Sequence, residues 1–351
     1  MSISSKPDLP RLAIFGAGGL GVEMLALLNK RPCAHLVALV DKTGFLYDPE
    51  GIELTETYLS MRQGFSIEQL SGAKKSSSAI ADYLTDYADR TDAIFYALPN
   101  LPNEFIPDIT QNLVLKSDFK GVIVDALKRT RAVKLLGAID EDLRRANILY
   151  LTGCGATPGL LTAAAALAAQ SFVKIEKVEI TFGVGIKNWQ AYRATIREDI
   201  AHLAGFSVEQ VAGMTEAEID AELEKRNGIL ELVNMEHADD IMLEWAGICP
   251  AECVSVGGVV DTRHPQKPLS TNVKVTGITY QAELSTHTFT LGDETTMACN
   301  VNGTVLGYLN AAYALHKRYN ASGLMTAVEI MPSFRSINTK VNAMREIPSK
   351  S

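Results

Sequence analysis

Along the first 150 residues, short continuous apolar runs alternate with amphipathic stretches. Apolar runs bounded by turn signals predict buried strands, and the amphipathic stretches between them predict helices. The predicted strands cover residues 12–15, 35–40, 93–98, 122–124 and 148–151, and the predicted helices cover 22–28, 79–87, 103–115 and 131–145. This alternation indicates a doubly wound parallel sheet with helices on both faces, as in a Rossmann domain.

The pattern changes after residue 173. Segments rich in Val, Ile and Thr cover residues 175–186, 254–260, 273–282 and 284–291, and no helical segment separates the last three. These segments predict a mainly antiparallel open sheet. A helical block, 190–246, lies between the first two of them, and it contains a capping box at Thr215-Glu216-Ala217-Glu218. A last long helix is predicted over 294–319, and we expect it to return to the first domain.

The predicted fold class is therefore α/β, with an N-terminal Rossmann domain over residues 1–152 and a C-terminal α+β domain over 153–335. Residues 336–351 form a polar tail. Residues 43–78 carry turn signals and only short helical pieces, so we expect them to form a surface excursion beside the first sheet.

A glycine-rich turn joins the first predicted strand to the first helix, with the sequence Gly16-Ala17-Gly18-Gly19-Leu20-Gly21. Such a turn lets the backbone approach a pyrophosphate at a helix N-terminus. The second strand ends at Asp41, twenty residues after Gly21, where a carboxylate can accept hydrogen bonds from a ribose diol. The sequence therefore predicts a dinucleotide site.

The remaining cofactor-binding candidates lie where strands of the parallel sheet end, because ligands bind at that edge. They are Gly19 and Leu20 in the turn, Lys42 after the second strand, Leu98, Pro99 and Asn100 after the third, and Asp125 after the fourth. Asp41 favours NAD, since a 2′-phosphate would meet its negative charge. Lys42, Lys74 and Lys75 are the cations that would instead favour NADP.

A second glycine-rich loop precedes an alanine-rich helix, and it supplies most of the substrate-binding candidates. They are Thr152, Gly155, Thr157, Pro158 and Gly159, together with Arg263 from the second domain. Thr157 suits a helix N-cap and Pro158 the first helical position, so we expect a helix N-terminus to face the crevice and to hold a carboxylate. The guanidinium of Arg263 is the preferred clamp for that carboxylate, although an ion pair within its own turn explains the residue equally well.

Three residues are candidates for catalysis. Cys154 lies in the same loop, where a thiolate would be a nucleophile for aldehyde oxidation, but a small buried thiol is the favoured interpretation, because Cys154 lies three residues before the expected helix start. Lys128 and His237 are candidates for acid–base work, against the alternatives of a solvated lysine and a packing histidine.

Composition narrows the range of partners. The net charge of −8 argues against a nucleic-acid or anionic-membrane surface, and no apolar run reaches the length of a membrane span. The five cysteines have neither the spacing of a disulfide framework nor that of a metal site, which suits the cytoplasm. We therefore expect a cytoplasmic protein that binds a small molecule and no metal, nucleic acid or membrane.

Three motifs together resemble the saccharopine dehydrogenase-like oxidoreductases, including the carboxynorspermidine dehydrogenase branch. They are Phe15-Gly16-Ala17-Gly18-Gly19-Leu20-Gly21, the loop Gly153-Cys154-Gly155-Ala156-Thr157-Pro158-Gly159, and the segment 292–303, GDETTMACNVNG. The family has Asp where this chain has Thr157. The resemblance implies a Rossmann domain, a GAPDH-like C-terminal domain, a homodimer, and NAD or NADP as cofactor.

The resemblance further implies hydride transfer at a C–N bond of a small amino-acid or polyamine-like substrate. Two alternatives remain open at this point. Gly153-Cys154-Gly155-Ala156-Thr157 partly matches the Gly-Cys-x-x-Thr pattern of semialdehyde dehydrogenases, in which Cys154 would be the nucleophile. A dinucleotide-binding sensor or scaffold without turnover would also fit, because a fold does not prove an activity.

Overall fold

The computed structural model describes residues 9–186 and 188–334, except for the side chain of Ala191. The predicted tail, residues 336–351, lies outside the described residues. The strands are β1 (Arg11–Phe15), β2 (His35–Asp41), β3 (Gly44–Tyr47), β4 (Lys74–Lys75), β5 (Ala93–Tyr96), β6 (Val122–Asp125), β7 (Leu149–Thr152), β8 (Lys174–Gly185), β9 (Ile229–Leu232), β10 (Val254–Asp261), β11 (Asn272–Ile278), β12 (Leu284–Thr290) and β13 (Gly323–Thr326).

The helices connect and cover these strands. They are α1 (Gly19–Lys30), α2 (Leu54–Arg62), α3 (Ala79–Tyr87), α4 (Phe105–Asn112), α5 (Thr130–Gly137), α6 (Asp140–Arg145), α7 (Leu160–Ala169), α8 (Arg193–Ala201), α9 (Val208–Gly213), α10 (Glu216–Lys225), α11 (Asp239–Trp245) and α12 (Met297–Tyr319). Within the described ranges, no helix combines the length and apolarity needed to cross a membrane.

The larger sheet has eight strands in the order β13-β7-β6-β5-β1-β2-β3-β4. Six of them, β13 to β2 in this order, run parallel, and β3 and β4 are antiparallel additions at one edge. The central strands β1, β5 and β6 are almost completely buried because helices cover both faces. This sheet confirms the expected doubly wound architecture.

The expectation of a surface excursion over residues 43–78 is wrong in part. A two-residue turn after Asp41 sends the chain back as β3, which pairs with β2, and β4 then pairs with β3. Between them, α2 packs against α1. The turn signals concealed these short strands, and in β3 Gly44 and Phe45 are buried whereas Leu46 and Tyr47 stay partly exposed.

The smaller sheet has the order β12-β11-β8-β10-β9. All neighbours are antiparallel except β8 and β10, which run parallel. The sequence therefore predicted a mainly antiparallel sheet correctly, but it missed β9 inside the helical block. Helix α7 packs against β11, and Leu161 and Ala165 lie with Val178 and Val275 in one apolar core.

Helix α12 returns from the second sheet to the first. It packs against α1, β6 and β7, and its Leu306 and Leu309 share an apolar core with Leu12 and Phe95. After α12, the chain adds β13 beside β7. The edge strand of the first sheet therefore comes from the C-terminal part of the chain, which the sequence pattern did not indicate.

A buried carboxylate joins the ends of two central strands. Asp125, at the end of β6, accepts hydrogen bonds from the Tyr150 hydroxyl at 2.8 Å and from the Gly153 backbone N–H at 2.7 Å. Its oxygens also accept the Thr152 hydroxyl at 3.0 and 3.1 Å and the Leu127 N–H at 3.0 Å. Burial raises the pKa of Asp125, and these hydrogen bonds offset part of that effect.

We predict that Asp125→Ala lowers the free energy of unfolding by about 3 kcal/mol, because the change leaves several buried donors without an acceptor. Urea unfolding followed by circular dichroism measures the change. The exposed Asp118, on the loop before β6, provides the control, since Asp118→Ala should shift stability by less than about 0.5 kcal/mol. Equal stability of the two variants would contradict the structural role of Asp125.

Candidate dinucleotide and substrate site

The glycine turn after β1 has the shape that a pyrophosphate requires. Gly16 has φ +105°, and a Cβ there would lie 2.3 Å from the Ala97 carbonyl oxygen. A Cβ on Gly21 would lie 1.9 Å from the Gly16 carbonyl oxygen, so strand and helix need glycine at both positions to pack this closely. A Cβ on Gly18 would meet no atom within 4 Å. The space in front of Gly18 is therefore open at the N-terminus of α1.

The adenosine end of the predicted site lies where β2 ends. Asp41 is partly buried, and its carboxylate accepts the Lys42 backbone N–H at 2.8 Å. Lys42 is exposed, whereas the ammonium of Lys74 pairs with Asp86 at 2.9 Å. Lys75 is 3.9 Å from Glu68 on the surface. Of the three lysines, Lys42 is therefore the one that follows Asp41 in the chain and contacts its carboxylate, through the backbone N–H.

The residues present fit a nicotinamide dinucleotide. The open turn, the helix N-terminus and a carboxylate at the end of β2 occur together at the carboxyl edge of the sheet. The segment 98–100 follows β5 at the same edge, with Pro99 exposed and Leu98 and Asn100 partly buried. In this arrangement residues 16–21 would hold the pyrophosphate and Asp41 the ribose.

A buried ion cluster lies beside this segment and connects it to α8. The Lys128 ammonium is 2.9 Å from Asp199 Oδ1 and 3.3 Å from Glu198 Oε2. The Asn100 side chain donates to the same Glu198 oxygen at 3.0 Å. Burial alone would lower the pKa of Lys128, but the charges of Asp199 and Glu198 outweigh it and raise that pKa above its ordinary value. Lys128 is therefore held as an ammonium.

The next residue along the chain has its own partners. The guanidinium of Arg129 contacts Glu236 at 2.7 Å, Asn103 at 3.0 Å and His202 Nε2 at 2.9 Å. Burial, followed by the positive charges of Arg129 and Lys128, lowers the pKa of His202 to about 3. His202 is therefore neutral at physiological pH and accepts the hydrogen bond from Arg129.

The predicted substrate loop contacts a histidine–aspartate pair. The Thr157 hydroxyl donates to Asp239 Oδ2 at 2.8 Å, and His237 Nδ1 lies 2.6 Å from the same oxygen. Thr162 in α7 binds the other Asp239 oxygen. Since the backbone N–H of Ala238 donates to the Lys128 carbonyl at 2.8 Å, His237 and Lys128 are held close together. Asp239 therefore holds the imidazole of His237, which is almost fully buried, in one orientation.

The expected helix start at Thr157 and Pro158 is wrong. Helix α7 begins at Leu160 after Gly159, which has φ +128° and lies so close to Gly155 that a Cβ would meet the Gly155 carbonyl oxygen at 1.9 Å. The Thr157 hydroxyl binds Asp239 instead of capping the helix. The glycines, which permit this tight turn, decide where the helix begins.

Two residues predicted to bind ligands are sealed inside the protein. The side chains of Asp125 and Thr152 are fully buried and bind each other, so they support the site and do not line it. Cys154 is also fully buried, and its thiol donates to the Leu151 carbonyl oxygen at 3.3 Å. Burial and the nearby charge of Asp125 raise the pKa of Cys154 well above its ordinary value. The structure therefore opposes a Cys154 thiolate nucleophile.

Arg263 also differs from its predicted role as a carboxylate clamp. Its guanidinium binds Asp261 at 3.1 and 3.2 Å in the turn after β10, and this hydrogen bonding, together with the charge of Asp261, raises the pKa of Arg263. It lines a shallow cleft of about 310 Å³ together with residues of the second domain alone: Trp189, Asp220, Leu223, Glu224, Asn227, Gly228 and Thr262. None of these residues belongs to the cofactor turn or the loop 152–159.

The structure adds three acidic residues that the sequence pattern did not single out as functional: Glu198, Asp199 and Asp239. All three lie in the predicted helical block, residues 190–246, for which no residue-level role was predicted except for His237. All three are almost fully buried. Their positions depend on contacts with Lys128 and Thr157, which lie 71 and 82 residues away in the chain.

The fold is shared with known dehydrogenases. A meso-DAPDH mutant from Clostridium tetani, solved with DAP, has a TM-score of 0.55 at 16% identity, over 96% of this chain and 99% of that one. Saccharopine dehydrogenase (L-Glu forming) from Saccharomyces cerevisiae has a TM-score of 0.52 at 10% identity, over 91% and 94%. The chain thus has the Rossmann and C-terminal domain architecture of amino-acid dehydrogenases.

The family is shown by a closer relative. The (S)-8-amino-7-oxononanoate synthase BioU of Haloferax mediterranei is 40% identical over 354 residues, which cover 93% of this chain and 100% of the relative. The chain belongs to the BioU family. No family model matches it. The resemblance to saccharopine dehydrogenase therefore holds for the fold, and the finer assignment to the carboxynorspermidine branch is replaced by BioU.

We predict that Gly18→Val abolishes dinucleotide binding without unfolding the protein, because the side chain would fill only the open space in front of the turn. Calorimetry with NADH and NADPH measures the affinity, and thermal unfolding checks the fold. Gly213→Val is the matched control, since a Cβ there also meets nothing within 4 Å but lies at the end of α9. A folded Gly18→Val variant with unchanged affinity would remove the dinucleotide site.

Proposed function

We propose that the chain is an NAD(P)-dependent oxidoreductase that transfers a hydride at a C–N bond of an amino-oxo acid. The relative is named as a synthase of (S)-8-amino-7-oxononanoate, a nine-carbon acid with a ketone next to an amine-bearing carbon. A ketone becomes a C–N centre when it condenses with an amine. A C–N centre formed in this way can be reduced by a hydride. A synthase that acts through it can therefore have the fold of a dehydrogenase.

Lys128 is the amine that we propose for this condensation, and its position is the observation that carries the proposal. It follows β6 at the carboxyl edge of the sheet, beside the segment 98–100 that borders the cofactor crevice. Lysine amines form imines with carbonyl substrates. The Lys128 nitrogen attacks the ketone carbon, the ketone oxygen leaves as water, and the product is a C=N bond.

The dinucleotide supplies the hydride that reduces such a bond. The protein holds the ketone carbon next to Lys128 and moves protons. His237, which Asp239 orients, is the proposed general acid and base for the carbonyl oxygen. Ala156 and Thr157 are the partly exposed residues of the loop that follows β7, and we propose that this loop contacts the substrate.

The proposed assembly is a homodimer in the cytoplasm, as the sequence led us to expect, with NAD preferred over NADP. The preference rests on Asp41, which occupies the ribose end of the site, and on the ion pair that engages Lys74 away from it. Lys42, the exposed residue next to Asp41 in the chain, is the cation that would favour NADP.

Asp41→Ala should weaken NADH binding and reduce discrimination between NADH and NADPH, because the lost hydrogen bonds to the ribose are worth about 1–3 kcal/mol. The measurement is the ratio of the two dissociation constants at fixed ionic strength, in the wild type and the variant. Lys42→Ala, in the neighbouring position, should leave NADH affinity unchanged. Tighter binding of NADPH by the wild type would show that lysine side chains decide the preference.

The imine proposal predicts a covalent adduct on Lys128. After incubation with 8-amino-7-oxononanoate and cyanoborohydride, peptide mass spectrometry should find Lys128 heavier by the mass of the ligand less one oxygen atom. Lys128→Arg keeps the positive charge beside Glu198 and Asp199 but cannot form the adduct, so it should lose at least about a thousandfold in turnover.

Cys154→Ser is the control for the alternative nucleophile. A serine hydroxyl can donate to Leu151 as the thiol does, so this variant should keep most of its activity and form the same adduct. Loss of turnover in Cys154→Ser, with normal activity in Lys128→Arg, would replace the proposal by aldehyde oxidation.

A further inference from the structure

One atom in the ion cluster around Lys128 has no partner. Glu198 is 1% exposed, and its Oε2 forms an ion pair with Lys128 and accepts a hydrogen bond from Asn100. Its other oxygen, Oε1, is buried and has no hydrogen-bond donor within reach among the described residues. A buried carboxylate oxygen without a donor is costly, which indicates that a further donor is required there when the site is in use.

The cluster also carries an excess of negative charge. Two carboxylates, Glu198 and Asp199, face the single ammonium of Lys128. Arg129 does not compensate for the second carboxylate, because Glu236 already pairs with it. His202, which follows the last residue of α8, is neutral, and His237 is directed at Asp239. The charges around Glu198 therefore leave room for one more cation.

The acceptors match one chemical group in particular. A primary ammonium has three N–H donors and no acceptor. Glu198 Oε1, Glu198 Oε2 and Asp199 Oδ1 are three acceptors in one place, and Lys128 reaches only the last two. Lys128 is the partly exposed member of the cluster, with 16% of its side chain accessible, so a ligand approaches from its side.

We propose that Glu198 and Asp199 form a subsite for the primary ammonium group of the substrate, which takes the position of the Lys128 ammonium; this inference rests on the proposed function. In an 8-amino-7-oxo acid, the carbon that bears the amine is bonded to the carbonyl carbon. An amine bound between the two carboxylates therefore places the ketone next to the displaced lysine nitrogen.

The exchange also prepares Lys128 for reaction. Once the substrate ammonium occupies the carboxylates, Lys128 loses the two partners that raise its pKa and gains a cation as a neighbour. Both changes favour the neutral amine, which is the form that attacks a ketone. The substrate amine thus serves as both a recognition group and a trigger.

Calorimetry with 8-aminononanoate and nonanoate tests the subsite, since neither compound has a ketone and neither can condense with Lys128. The wild type should bind the amino compound at least about tenfold more tightly. Glu198→Gln, which has nearly the same shape, should reduce this preference to less than about threefold and leave NADH affinity unchanged. Glu209→Gln is the control, because Glu209 is an exposed residue at the start of α9.

Lys128→Met tests the exchange. A wild-type ammonium must leave before the ligand can bind, so the variant should bind 8-aminononanoate more tightly than the wild type does. Weaker binding by a folded Lys128→Met variant would overturn the exchange, and an unchanged ligand preference in Glu198→Gln would overturn the subsite. If the Glu198-dependent preference is present but no adduct forms on Lys128, the proposed reaction fails while the ammonium subsite stands.

Discussion

The buried carboxylate of Asp125 is the constraint on which the site depends. It accepts a hydrogen bond from the Leu127 backbone N–H just beyond β6. At the end of β7 it accepts the hydroxyls of Tyr150 and Thr152 and the backbone N–H of Gly153. These bonds fix the directions in which two loops leave the sheet. One loop carries Lys128, and the other leads to Thr157 and α7. A charge buried at this depth is stable only when it is so completely hydrogen-bonded.

Contacts between the two loops and the second domain then complete the arrangement. Lys128 reaches Asp199 on α8, and Thr157 reaches Asp239 at the start of α11. The helical block therefore supplies acidic groups to a crevice whose floor belongs to the parallel sheet. Because the two domains share these buried polar contacts, a change in the ionisation of one group affects its partners on both sides.

The similarity to amino-acid dehydrogenases concerns the architecture of the chain. Membership of the BioU family bears on the side chains that the architecture carries. The dehydrogenase architecture provides a dinucleotide turn and a crevice, which many reactions can use. The side chains in that crevice decide which reaction occurs. In this chain the residues around Lys128 include a paired histidine and two carboxylates, and the thiol of Cys154 is sealed in the core. This set is the basis of the proposed chemistry at a carbonyl and an amine.

The sequence alone determined the local features. Continuous apolar runs fixed the parallel strands, and Gly16, Gly18 and Gly21 fixed the dinucleotide turn, because backbone shape and side-chain size follow from the residue itself. The same reasoning named Lys128 and His237 as candidates.

Only the tertiary structure decided which candidates have partners. Burial opposes the predicted role of Cys154 as a nucleophile. The ion pair with Asp261 occupies the guanidinium of Arg263, which was predicted to bind a carboxylate of the substrate. Glu198 and Asp199 matter because they contact Lys128, which precedes Asp199 by 71 residues in the chain. Hydrogen bonding and charge pairing act through space, and no periodicity along a chain records which distant residues the fold brings together.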